Sequence, residues 1–161
     1  MIDGRFPDRR DSYVTLAEFG AYLDDQSIPA VRLDESSYRF QVQGGTHDNG
    51  ARVIHPIDVV DQGEGCWSSA TPLFRLPAED TPQTSQILRA ALGARGRVSG
   101  AAGVFIENDV LMVGADSICG SPRQIIDQVI DTAQIATPVM EAGLRMAAKV
   151  DVHLPWIQGI I

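Results

Sequence analysis

Two cysteines, three histidines and a few clustered carboxylates are the side chains of this 161-residue chain from which a reaction could be built. A cysteine nucleophile needs a lowered thiol pKa and a base within reach. Cys66 stands in "GEGCWSS" beside Glu64, with no cation near it in sequence. Cys119 stands two residues before Ser121, where a helix should begin, and amide dipoles at a helix start favour a thiolate. It is the better candidate of the two, although the commoner role of such a residue is a small, half-buried apolar side chain. His47 falls in a turn, His55 on a strand and His153 near the end of the sequence. No pair of them has the spacing of helical metal ligands such as HExxH, and nothing in their spacing supports a zinc site. Glu107, Asp109 and Asp116 sit in and after the stretch "GVFIENDVLMVGAD". A calcium loop needs a denser Asp/Asn pattern closed by a Glu, so two of these carboxylates are better read as solvating a turn and the third as ending a strand. The run "GARGRVSGAAG" has no GxxxxGK[ST] and follows a helical pattern, and Ser68-Ser69 form no GxSxG elbow. The sequence therefore assigns no catalytic residue, no cofactor and no metal.

Composition narrows the partners. Thirteen Lys and Arg against 21 Asp and Glu give a net charge of −8, and Lys149 is the single lysine. Phosphate backbones and anionic membrane surfaces both recruit basic side chains, so nucleic acid and membrane are poor candidates. No apolar run approaches the ~20 residues that span a bilayer. The first thirteen residues are charged and lack the apolar centre of a secretory signal. The cysteines form no CxxC pair, and a reduced cytoplasm fits them best. Whether Cys66 and Cys119 pair is left open.

The elements that would position these residues are legible from period and punctuation. Residues 1–12 read as a flexible arm, 13–148 as a single α+β domain and 149–161 as an apolar tail. Thr15 followed by Glu18 is a capping-box pattern, and Leu16, Phe19, Tyr22 and Leu23 follow at helical spacing to about Asp25. From Val31 to Leu76 the period changes to two. Tyr38, Phe40 and Val42 mark one strand, and Val53, His55, Ile57 and Val59 a second. Trp67 to Leu76 mark a third. Pro56 and Pro72 each suggest a sheet edge or a bulge. Thr81-Pro82 starts a second helix with a stripe of Ile87, Leu88, Ala91 and Leu92, which Gly93 and Gly96 weaken and stop. Val104–Glu107 and Val110–Ala115 form a hairpin around Asn108-Asp109, residues that tolerate the positive φ of a tight turn. Both arms are almost continuously apolar, which suggests strands central to the sheet, covered by helices on one face and by another subunit on the other. Ser121-Pro122 starts the last helix, with Ile126, Val129, Ile130, Ala133, Ala136 and Met140 at three- and four-residue steps, and Pro138 should kink or interrupt it. The order is α-βββ-α-ββ-α, with tight turns joining neighbouring strands, which makes an antiparallel α+β sheet with helices on one face.

Residues 87–144, the helix ending in small residues, the apolar–turn–apolar hairpin and the long apolar-striped helix, resemble the second half of the YbjN-like family. That family is related in fold to type III secretion chaperones. With the helix and three strands before it, the resemblance covers residues 13–148 and rests on element order and apolar pattern. It implies a sheet-and-helix sandwich, often dimeric, without a known catalytic centre and thought to bind other proteins. The leading expectation is thus a non-enzymatic, chaperone-like cytoplasmic binding module, a homodimer with a protein partner. Trp67, Leu154, Trp156, Ile157, Ile160 and Ile161 are the candidate partner or dimer contacts, because apolar chain ends seldom stay free in water. The alternative is a small-molecule sensor or small enzyme whose site is assembled from distant residues, His55, Cys119 and Asp116 first among them.

Overall fold

The computed structural model describes residues 13–46 and 50–155. Its elements follow in the order α1 (Leu16–Asp25), β1 (Val31–Arg32), β2 (Ser37–Thr46), β3 (Arg52–Gly63), β4 (Cys66–Arg75), α2 (Pro82–Arg95), β5 (Gly103–Glu107), β6 (Val110–Ile118) and α3 (Pro122–Lys149). The helix starts are set by the residues that the sequence marks for them. Thr15 Oγ1 accepts from the Glu18 amide at 3.2 Å, and Thr81 Oγ1 accepts from the Thr84 amide at 3.3 Å. Ser121 and Gln124 form a full capping box, each side chain accepting from the other's backbone amide. Pro82 and Pro122 occupy first-turn positions, where no amide donor is needed.

The strands form one antiparallel sheet in the order β1-β2-β3-β4-β6-β5. Two tight turns fix its register. Asn108 and Asp109 both take positive φ, 51° and 62°, between the paired Glu107 and Val110. Glu64 and Gly65 do the same, at 54° and 77°, between Gly63 and Cys66. Alternation then sends Phe40, Ile57, Val59, Trp67, Leu73 and Val113 to one face, and all three helices pack there. α3 runs along this face against β2, β3, β4 and β6.

Several expectations change. β5 lies at the edge of the sheet, paired with β6 alone, while β6 is interior. The nearly continuous apolar run of β5 therefore does not mark a central strand. At Pro56 β3 pairs with β2 in continuous register, and its other side is a local edge, in keeping with the expectation, although β3 as a whole is an interior strand. Pro56 is tolerated because the β3–β4 ladder begins only at Asp58↔Ala70, two residues further on. Pro72 does sit at a bulge, between β4 and β6. α3 continues unbroken through Pro138. The missing amide leaves the Gln134 carbonyl without its helical donor, and Gln134 is exposed, so water can serve it. On the same helix Ile125 is buried and Ile130 is exposed, the reverse of the expected stripe, and on α2 Leu92 is exposed.

The core is divided. One cluster gathers Leu73, Phe74, Ile87, Leu111, Ile135 and Met140, and a second gathers Phe19, Phe40, Ile57, Trp67, Ile125 and Val129. Between them runs a polar seam. The Gln128 side-chain amide donates to Ser69 Oγ at 2.9 Å and to the carbonyls of Trp67 and Ala115 at 3.0 Å. Its Oε1 accepts from the Ser117 hydroxyl. Thr132 Oγ1 donates to the Gln128 carbonyl at 2.8 Å, closing the seam along α3. Buried polar groups of this kind are tolerated because they are hydrogen-bonded, and breaking one partner strands the rest.

Candidate binding face

The face of the sheet opposite the helices carries no covering element among the described residues. Register assigns its rows. Arg39, Asp58, Ala70 and Gly114 are successive neighbours across β2, β3, β4 and β6. Pro72, Met112 and Phe105 form the next row across β4, β6 and β5. Val60, Ser68 and Asp116 form a third, on the other side. The middle of the face is thus small and apolar, with polar groups around it. Arg39 and Asp58 make a two-pronged ion pair, 2.6 Å and 3.0 Å, at one margin.

Two adjoining depressions cross this face. The larger, about 620 Å³, is floored by Val60, Ala70, Pro72, Val110 and Met112 and ends at Arg75. The other, about 400 Å³, lies between Ser68, Phe105, Glu107 and Asp116. Gly114 lets the two strands approach: a Cβ there would overlap the Ser69 carbonyl, and the Phe105 ring lies 3.1 Å from that same point. An aromatic ring laid over a strand glycine covers the gap the missing side chain leaves. Beyond Phe105 the β5 edge is bare, with Phe105 40% and Ile106 52% exposed. An unpaired apolar edge with no Lys or Pro to blunt it is a template for another strand.

The residues singled out in the sequence fall elsewhere. Trp67 is fully buried against Phe19, ring centroids 5.2 Å apart, and its indole nitrogen has no hydrogen-bond partner among the described residues. Leu154 is 6% exposed and belongs to the first core cluster. Both therefore pack inside this fold, because their strand and chain positions point toward the helices. Trp156, Ile157, Ile160 and Ile161 lie outside the described residues, as does His47.

The alternative constellation is not assembled. His55 faces the helices, where Nε2 meets Thr137 Oγ1 at 2.7 Å, and burial pushes its pKa down to about 4. Asp116 faces the opposite side of the sheet. Cys119 is buried, its sulfur 3.4 Å from Ser117 Oγ. Cys66 and Cys119 are both free thiols. Asp109 lies in the hairpin turn, where its carbonyl accepts from the Leu76 amide at 2.7 Å. Among the described residues no group of three His, Cys, Asp or Glu side chains is placed to hold a metal ion, and no helix is long and apolar enough to cross a membrane.

The open face itself was missed in the sequence, apart from the idea that the hairpin strands need a second cover. The signal that could have found it is the outward set of β4: Ser68, Ala70 and Pro72 are small, while inward Trp67 and Leu73 are large.

No protein-family profile matches the chain, and no curated protein matches it. Among solved structures, the chain is similar to the crystal structure of YbjN from E. coli, which is described as a proposed transcription regulator. The TM-score is 0.49 and the identity 17%, over 82% of this chain and 93% of that one.

Proposed function

We propose that the chain is a non-enzymatic, chaperone-like protein-binding module of the cytoplasm that takes a protein partner on the open face of its sheet and pairs with a second copy along β5. The observation that supports this most is the one-sided packing: all three helices share one face, and the other presents Val60, Ala70, Pro72 and Met112 beside an exposed strand edge. Strand addition supplies backbone hydrogen bonds, and the pockets beside it select side chains. The two free thiols are consistent with a reducing compartment.

The test has two parts. Light scattering on the full chain should give twice the chain mass, and Ile106→Lys, which places a charge on the edge, should give the single mass. A monomeric full chain would remove the homodimer from this reading. Partner capture from a lysate should succeed with the full chain and fail with Ala70→Arg. Equal capture by both would remove the face.

A further inference from the structure

The turn between β5 and β6 decides which backbone groups of β5 face outward. Asn108 and Asp109 both take positive φ, and a two-residue turn of that kind is flanked by a hydrogen-bonded pair, here Glu107 and Val110. The Asp109 carbonyl has the matching sense, since it accepts from the Leu76 amide on the β4 side. By the period of two, Phe105 and Gly103 also bond to β6, opposite Met112 and Gly114. The N–H and C=O groups of Val104 and Ile106 then point away from β6, along the edge. The next outward residue, Ala102, is already engaged. Its amide donates to Asp131 Oδ2 at 3.0 Å, and its carbonyl accepts from Arg95 Nε at 2.6 Å. Past Ile106 the chain turns at Asn108. Among the described residues the open edge thus consists of four groups, two on Val104 and two on Ile106.

From this spacing we infer that two copies join β5 to β5 antiparallel, Val104 of each opposite Ile106 of the other, with a two-fold axis between the two Phe105 residues. The inference rests on the reading of β5 as the pairing edge and fixes how it pairs. This is the antiparallel register that bonds all four groups of each copy. Centring on Val104 sets Ile106 against the engaged Ala102, and centring on Ile106 sets Val104 against the turn at Asn108. The side chains agree with it. On the open face Phe105 meets its own copy in a non-hydrogen-bonded pair, Cα atoms about 4.5 Å apart, where aromatic pairs are favourable. On the helix face the exposed Ile106 comes beside Val104, which packs on the first core cluster. Glu107 falls opposite Gly103, so no like charges face each other, and a Cβ on Gly103 has open space around it in the single chain. The row Ala70, Gly114, Gly103 then ends on Glu107 of the second copy, beside the depression that Phe105 and Asp116 line. Each copy thereby adds a carboxylate to the margin of the other's binding face.

Two measurements on the purified full chain test the register. The first is amide exchange of the unmodified, isotope-labelled protein by NMR, over concentrations that light scattering assigns to dimer and to monomer. The Val104 and Ile106 amides should exchange roughly ten-fold or more slowly in the dimer than in the monomer. The Phe105 and Glu107 amides, bonded within the hairpin, should stay protected in both. The second is disulfide trapping in a Cys66→Ser background, Cys119 being buried. Phe105→Cys sets two thiols across the axis, within the Cα range of about 4.4–6.8 Å that a disulfide bridges, and mild oxidation should link the copies. Val104→Cys and Ile106→Cys set theirs on diagonals of roughly 7–8 Å and should link several-fold less. A higher yield from either of these would overturn the register by moving the axis. Slow exchange at Val104 and Ile106 that persists in the monomer would overturn it too, by assigning the edge to the chain itself. The exchange measurement decides alone should Phe105→Cys fail to fold. A dimer whose Val104 and Ile106 amides exchange as fast as in the monomer sinks this inference and leaves a homodimer joined elsewhere. A chain that is monomeric at every concentration sinks both.

Discussion

His55 of β3 and Thr137 of α3 meet at 2.7 Å beneath a bulge of β2, where a Cβ on Gly44 would overlap both side chains. The Thr137 hydroxyl also lies 3.4 Å from the Ala133 carbonyl, to which it can donate, and the His55 tautomer decides which atom donates in the His55–Thr137 contact. Burial is what favours the neutral imidazole here.

Stability should therefore follow the protonation of His55. The folded pKa is lowered from 6.5 to about 4 by burial. Between those values the unfolded chain binds the extra proton, so stability rises with pH across the window. The contribution is complete above the unfolded value and is lost as pH falls toward the folded one. It amounts to roughly 3–4 kcal/mol at most. Urea titrations at several pH values should show this slope, and His55→Gln should flatten it.

Gln128→Leu should destabilise the fold by about 2–3 kcal/mol, because Ser69, Ser117 and two carbonyls lose their shared partner at once. Chemical denaturation measures it. A change below about 0.5 kcal/mol would mean that water replaces the amide in the seam.

Gly114→Ala should cost about 1–3 kcal/mol, since the new methyl meets backbone rather than a side chain that can swing away. Thermal melting of the variant reads this directly. Gly103→Ala on the neighbouring strand is the control, because a Cβ there meets nothing within 4 Å.

Asp109→Gly should stabilise the hairpin by a few tenths to about 1 kcal/mol, because the turn holds Asp109 at a φ of 62° that glycine adopts without strain. Denaturant midpoints of the two proteins compare it. A loss of stability would show that glycine's greater freedom in the unfolded chain outweighs the relief of strain.

What could be read from the sequence were features decided within a few residues. Thr15, Thr81 and Ser121 cap helices through amides three positions away, and Asn108-Asp109 turns the chain by their own backbone preference. The misses were features decided by distant partners. Ile125 is buried in place of Ile130 because of where α3 rests on the sheet, which helical period alone does not set. β5 falls at an edge because β6 takes the place beside β4. The open face escaped for the same reason. Whether Ala70 and Met112 are covered depends on which side the helices choose.

The divided core also bears on how the molecule breathes. Extending the β3–β4 register past its last pair brings Pro56 opposite Pro72, two residues that offer no amide to a ladder. The split in the sheet and the split in the apolar core thus lie close together, and α3 is the helix that serves both clusters. Deuterium uptake by the backbone should accordingly fall into tiers. The α3 amides should be the last to exchange, with α1 and α2 opening independently at either end of the seam.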